Sequence, residues 1–317
     1  MIRLAILDDY QGVALQSANW SEVEKIAEIT VFRDHLTDID MLAERLQPFD
    51  AICVMRERTP LTAPILSRLP NLKFIGSNAP YNAAIDLDAA QRQGVVVSAT
   101  GGRGNGAPEL TWALILAAAR HIPAEHASMR NGGWQVGVGA DLEGSTLGLL
   151  GLGKTGARVA AIGRAFGMRV LAWSQNLTPE AAEAAGATLV DKTTLLRAAD
   201  WLSIHLVLSA RTQGIVGAPE LALMKPHAWL VNTSRGPLVD ETALIHALTR
   251  RAIAGAALDV FDTEPLPAGH PFRTLDNVLA TPHIGFVTHG TYKVFYEETV
   301  ENVLAWLRGS PVRVMSK

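Results

Sequence analysis

This 317-residue sequence predicts an α/β protein built from two parallel-sheet halves. Three observations point there. Residues 1–99 alternate short apolar runs with amphipathic segments. A glycine-rich stretch, TGGRGNGAPEL (100–110), interrupts them. From Ser145 the alternation restarts, and it does so on LGLLGLGKTG (147–156), a glycine pattern of the kind that opens phosphate-binding turns.

Composition sets the frame. The length suits two domains, each with its own core. Hydrophobic residues make up 48% and charged residues 19%, ordinary for a soluble globular protein. Lys+Arg 28 against Asp+Glu 31 leaves a net charge of −3 with no basic run, which argues against nucleic acid or an anionic membrane as partner. The one cysteine, Cys53 in the apolar run AICVM, reads as a buried strand residue. It excludes an intrachain disulfide and a cysteine-rich metal site, no metal is expected, and a reducing compartment fits. MIRLAILDDY is too short an apolar run for a signal peptide, and LTWALILAAA (110–119) is too short to span a bilayer. A cytoplasmic protein is expected.

The elements follow in order. IRLAIL reads as a strand and SEVEKIAEI as a helix, with Ser21 and Glu24 at capping-box spacing. ITVF precedes the helix DIDMLAERL, AICVM precedes APILSRL, KFIGS precedes DLDAAQRQ, and VVVSA closes the series. Such alternation predicts parallel strands with crossover helices. Pro108 sits where a helix start tolerates it. LTWALILAAARHI is apolar nearly all round, so it should be buried between domains or subunits. The second half runs through TLGLLGLG, a helix from about Gly156, the strand RVLAW and an Ala-rich helix. The strands WLSIHL, AWLVNTS, GAALDVF and NVLATP follow, and His289 to Arg308 reads as one long helix.

LGLLGLGKTG matches two signatures. Gly151, Gly153 and Gly156 have the dinucleotide spacing G-x-G-x-x-G. Gly148, Gly153, Lys154 and Thr155 have the NTP-loop spacing G-x-x-x-x-G-K-[ST]. Three features favour the dinucleotide. An NTP loop needs backbone free to curl around an anion, whereas Leu149, Leu150, Gly151 and Leu152 look like a strand still running. A strand ending near Leu150 puts Gly151 at the tight turn. Pyrophosphate can then approach at Gly153, the helix can pack at Gly156, and the helix amides face the phosphates. Finally, RVLAW ends about twenty residues on, where a ribose contact belongs. Asp259, an acidic strand end, imitates the acidic residue of an NTPase and keeps that class as an alternative.

Downstream, VNTSRGPLVDE (231–241), ALDVFDTEPLP (257–267) and TPHIG (281–285) follow in that order. With the glycine turn they resemble the D-isomer-specific 2-hydroxyacid dehydrogenase family over nearly the whole chain. The resemblance implies an NAD(P)-dependent, D-specific oxidoreductase. It would move a hydride between the nicotinamide and C2 of a small anionic 2-keto or 2-hydroxy acid such as glyoxylate or hydroxypyruvate. It implies Arg235, Glu264 and His283 as the active site. It further implies a flavodoxin-like substrate domain (1–101 plus 286–317) and a Rossmann domain (102–285) with a cleft between them. A homodimer through the helix near 108–122 also follows from it. Asp259 would meet the nicotinamide carboxamide, Thr233 would lie beside the nicotinamide, and Leu206 near the adenosine or its ribose.

The residue types suit that reaction. The planar fork of Arg235 matches a carboxylate and can polarise a ketone. An imidazole such as that of His283 carries a proton near neutral pH, and a carboxylate beside it favours the protonated form and fixes the ring. Glu264 also separates this chain from the formate dehydrogenase branch of the family, which has Gln there and needs no proton transfer. His205 and His227 read as strand or loop residues.

Two places depart from the family pattern. Ser174, in Trp173-Ser174-Gln175-Asn176, occupies the place of the ribose-binding acid. The absence of an acid admits a 2′-phosphate, so NADP(H) is expected ahead of NAD(H), although no Arg follows to clamp it. Lys154 and Thr155 are expected at the pyrophosphate. The substrate turn reads SNAPYNAAID (77–86) instead of a glycine-rich stretch. Asn78 and the amide of Ala79 are expected substrate contacts, Pro80 offers no amide, and Tyr81 lines the pocket. Arg56, in MRERTP, would add an anionic contact and favour a dicarboxylate or phosphorylated substrate. Two further readings are a phosphoglycerate dehydrogenase-like activity and a nucleotide-sensing, corepressor-like protein. No partner-docking tail is visible, and no regulatory domain is expected after the final helix.

Overall fold

Two parallel sheets organise the chain. The computed structural model describes residues 1–316. These fall into two compact units, Met1–Arg103 with the segment from Val287 onward, and Gly104–Phe286.

The first unit holds β1 (Ile2–Ile6), β2 (Ala27–Val31), β3 (Ala51–Val54), β4 (Phe74–Ser77) and β5 (Val96–Ala99). They run parallel in the order β2-β1-β3-β4-β5, the flavodoxin-like arrangement. Strands β3 and β4 are buried on both faces, which is why AICV and FIGS carry no alternation. Cys53 is buried in β3, as its surroundings predict. Asp38 and Asp86 cap the helices Ile39–Leu46 and Leu87–Arg92 through their carboxylates. The long helix His289–Leu307 lies on β4, where Trp306 stacks on Phe74 at 5.1 Å. The chain end then returns to β5: the amides of Ala99 and Met315 donate to the Arg313 and Val97 carbonyls across an antiparallel bridge.

One reading fails here. SEVEKIAEI is not a capped helix: only Ser21–Glu24 forms a turn, Trp20 is its N-cap, and no side chain caps it. The chain must enter β2 at Ala27 to pair with Ile2, so sheet pairing overrides local helix preference.

The second unit holds β6 (Thr146–Leu150), β7 (Arg169–Trp173), β8 (Thr188–Leu189), β9 (Trp201–Ile204), β10 (Trp229–Asn232), β11 (Gly255–Leu258) and β12 (Val278–Ala280). All are parallel, in the order β12-β11-β10-β9-β6-β7-β8. The order reverses between β6 and β9, the crevice where doubly wound sheets take dinucleotides. Gly148 settles the choice between the two phosphate signatures. It is paired inside β6 with Leu171 and Leu202, and a Cβ there would sit 2.8 Å from the Cβ of Ala199. It is a packing glycine in a strand, so the NTP-loop spacing is accidental.

The helix expected over 110–122 is two helices, Gly106–Ala119 and Ile122–Arg130. His121 breaks them at φ 51°, and Pro123 cannot continue the ladder across the break. The first packs on the helix Lys154–Ala165 but leaves a stripe of Ala113, Leu116 and Arg120 exposed.

Candidate active site

The dinucleotide turn is built by close backbone approach. Gly151 has φ 101°, and a Cβ on it would lie 2.6 Å from the carbonyl oxygen of His205. A Cβ on Gly156 would lie 2.2 Å from the Gly151 carbonyl oxygen. Both glycines are therefore demanded by the fold. Gly153 is different: it caps the helix Lys154–Ala165, and a Cβ on it would meet nothing within 4 Å. Nothing inside the protein needs a glycine there, whereas a pyrophosphate approaching the free amides of the helix start does. The residues present thus fit a dinucleotide. Lys154 is exposed and Thr155 half-buried in the first turn, which starts two residues before the expected helix boundary at Gly156.

Around the turn, Ser174 is half-buried just past β7, followed by exposed Gln175 and Asn176. The backbone nitrogen of Leu206 lies 3.1 Å from the Cβ position of Gly151. His205 is a residue whose place under the turn no local pattern indicated. The residue as a whole is half-buried, but its ring nitrogen Nδ1 is buried. Its Nε2 is 2.9 Å from Ser203 Oγ, and burial pushes its imidazole down to about 4. It is neutral at physiological pH. His227, on a loop, pairs with Asp200.

Arg235, Glu264 and His283 stand on three segments that follow β10, β11 and β12. Gly236 makes their approach possible, because a Cβ there would lie 2.1 Å from the Phe261 carbonyl carbon. The Arg235 segment therefore presses directly on the segment leading to Glu264. Glu264 Oε1 accepts from the Phe261 amide at 3.0 Å, and Oε2 lies 2.5 Å from His283 Nδ1. Burial pushes the Glu264 carboxyl up. The His283 hydrogen bond and charge, the Phe261 amide and the Arg235 charge outweigh it and hold the carboxyl below its ordinary range. The His283 ring also meets the edge of Phe286, at 5.6 Å and 83°. Arg235 is half-buried, and its Nη1 donates to the Ser234 carbonyl at 2.8 Å.

Asp259 explains how His283 is held. Its side chain is wholly buried. Oδ1 accepts from Thr281 Oγ1 (2.7 Å) and the Ile284 amide (2.8 Å), and Oδ2 from the Gly285 amide (2.8 Å). These bonds clamp the loop on either side of His283, itself at φ 52°. Burial raises the Asp259 carboxyl, against the pull of those donors and of His283. Thr233, also buried, shares a 2.7 Å hydroxyl contact with Thr111 of the helix Gly106–Ala119, a partner that no local pattern indicated.

In the first unit two expected substrate contacts have partners within the protein. The side chain of Asn78 is buried and its Oδ1 accepts from Thr299 Oγ1 at 2.6 Å, so it anchors the long helix. The amide of Ala79 donates to the Ser77 carbonyl at 2.8 Å, so it is folded back on its own chain. Pro80 favours this by steering Ala79 away from helical backbone. Arg56 is half-buried at φ 54°, with its carbonyl accepting from Asn82 Nδ2 at 2.6 Å. Tyr81, 68% exposed, lines an open hollow of about 920 Å³ with Thr100, Glu298 and Arg313. Among the described residues no group of His, Cys, Asp and Glu is arranged to hold a metal, and no helix is long and apolar enough to cross a membrane.

Comparison with known proteins points to one family. The family model for the D-isomer specific 2-hydroxyacid dehydrogenase NAD binding domain matches residues 112–285. Glyoxylate reductase of Thermococcus litoralis is 37% identical over 307 residues, 93% of this chain and 92% of that protein. D-3-phosphoglycerate dehydrogenase of Methanocaldococcus jannaschii is 36% identical across 98% of this chain, which spans only 58% of that relative. The crystal structure of phosphoglycerate oxidoreductase from Vibrio cholerae superposes with a TM-score of 0.92 at 40% identity, covering 98% of this chain and 100% of that one.

The glycines of the turn make a test. Gly156→Ala should lower stability by about 1–3 kcal/mol, because its methyl meets backbone. Gly153→Ala should keep the free energy of urea unfolding within about 1 kcal/mol of the parent while weakening NAD(P)H binding about tenfold. Unchanged affinity in Gly153→Ala would remove that glycine from the cofactor site.

Proposed function

The chain belongs to the D-isomer specific 2-hydroxyacid dehydrogenase family, and from that premise we propose how its residues carry the reaction. It is an oxidoreductase of 2-hydroxy and 2-keto acids that uses a nicotinamide cofactor. The bound nicotinamide supplies the hydride in reduction and accepts it in oxidation.

The observation that carries the residue roles is the 2.5 Å contact between His283 Nδ1 and Glu264 Oε2, with the Arg235 charge close by. Arg235 binds the substrate carboxylate and polarises the C2 carbonyl. With Nδ1 held by Glu264, His283 gives a proton from Nε2 to the forming alkoxide, and takes it back in oxidation. Glu264 stabilises the imidazolium and fixes its plane, and Asp259 fixes its loop. Thr233 and Asp259 would border the nicotinamide carboxamide. Gly151, Gly153, Lys154, Thr155 and Gly156 would take the pyrophosphate, with Ser174 and Leu206 toward the adenosine end.

D-specific reduction of a small keto acid such as glyoxylate or hydroxypyruvate is the reading we favour. Arg56 and Arg58, two cations on one turn after β3, favour an oxygen-rich or anionic substituent and keep a phosphoglycerate-type substrate as the second reading. No carboxylate follows β7 at Ser174, which favours NADP(H) over NAD(H). A panel of 2-keto acids run with NADPH and with NADH tests both points. We expect turnover with glyoxylate or hydroxypyruvate and a higher kcat/KM with NADPH. Oxidation of neither cofactor by any keto acid contradicts the function, and a preference for NADH contradicts the cofactor assignment.

We also propose a homodimer in the cytoplasm. The exposed stripe at Leu116 continues into exposed Ile122, Met129, Trp134, Val136 and Val138, apolar side chains that a second copy would cover. Sedimentation equilibrium should give twice the chain mass. A monomer mass would contradict it.

A further inference from the structure

The segment that carries Glu264 has little core of its own. From Asp262 to Gly269 every residue is exposed except Glu264 and Leu266, which are half-buried. Burial does little to order such a segment, so bonds must oppose its backbone entropy.

Glu241 supplies a bond at each end. It is the first residue of the helix Glu241–Thr249, whose N-cap, Asp240, accepts from the Ala243 amide at 2.9 Å. Its backbone is therefore fixed by a capped helix. Oε1 lies 3.0 Å from His270 Nε2, and Oε2 accepts from the Asp262 amide at a long 3.5 Å. Glu264 stands between those two attachment points. The side chains of Glu241 and His270 are 24% and 13% exposed, so water competes little for the shorter bond.

The other nitrogen of His270 fixes the direction of that bond. Nδ1 accepts from the Phe272 amide at 3.2 Å and so caps the turn Pro271–Arg273. A ring nitrogen that accepts carries no proton, so the proton is on Nε2 and is donated to Glu241. The ring thus joins the helix to the turn. From that turn, Arg273 Nε donates to the Pro267 carbonyl at 2.9 Å, and Nη2 to the Leu266 carbonyl at 2.6 Å. The hold at His270 therefore carries through to Leu266, two residues from Glu264.

We propose that Glu241 and His270 are positioning residues: together they hold the segment 262–270 where Glu264 Oε2 meets His283 Nδ1. All four residues lie in the second unit. This rests on the reading above, in which Glu264 holds His283 for proton transfer. A 2.5 Å contact tolerates little displacement, and misplacing a catalytic group by about 1 Å costs much of its effect.

The test is a double-mutant cycle on kcat for reduction of glyoxylate or hydroxypyruvate, with saturating NADPH or NADH. His270→Asn keeps an oxygen to cap the Phe272 amide but is too short to reach Glu241. In the parent chain it should lower kcat about tenfold and leave the cofactor Kd within about twofold. In a Glu264→Ala background nothing remains to position, so the same change should alter kcat by less than about twofold. An equal loss in both backgrounds, or a Kd weakened as much as kcat, would show a merely structural role and overturn the inference. No loss in the parent would overturn it too. If His270→Asn fails to fold, Glu241→Gln, with one oxygen for two donors, takes its place in the cycle with the same expectations. A Glu264→Ala chain with the parent kcat overturns the role proposed for Glu264 and the inference with it, as does a parent that reduces neither acid. A loss in Glu264→Ala with no effect of His270→Asn overturns the inference alone, so the two failures are distinguishable.

Discussion

A buried carboxylate that clamps a loop governs the centre of the second unit. Burying a charge such as that of Asp259 is costly unless donors surround it. Asp259 has three, and all belong to the loop 281–285. The clamp holds His283 in left-handed backbone and so aims its Nδ1 at Glu264. Without it, the contact between residues 19 positions apart would have to order a free loop by itself. Asp8 plays the corresponding part in the first unit, where its buried carboxylate joins loops that follow neighbouring strands.

Close backbone packing does the rest. Gly151 against His205, Gly156 against Gly151 and Gly236 against Phe261 are approaches that no side chain permits. The first two shape the turn after β6, and the third brings the Arg235 segment against the segment that carries Glu264. Gly153 stands apart because its space is open on the protein side. The contrast separates glycines required by the fold from one suited to a ligand.

Much of this was legible in the sequence because it is local. RVLAW is β7 to the residue, bounded by Gly167 and Ser174. The paired strand around Gly148 followed from its leucines, which look like a strand rather than a solvated loop. What sequence reasoning missed depended on distant partners. Asn78 turns inward to meet Thr299, which is 221 positions away. Thr233 meets Thr111 across 122 positions. The spacing of Ser21 and Glu24 promised a capped helix, but pairing of β2 with β1 ended it after one turn. Spacing reports what a segment can do alone, and sheet pairing decides what it does.

The central claim is that Glu264 holds His283 in place to give its proton during reduction. Steady-state reduction of a keto acid by the parent chain and by Glu264→Gln, with NAD(P)H binding measured beside it, tests it most directly. Removing the carboxylate should lower kcat about tenfold or more while leaving the cofactor Kd within about twofold. An unchanged kcat in Glu264→Gln would contradict the account.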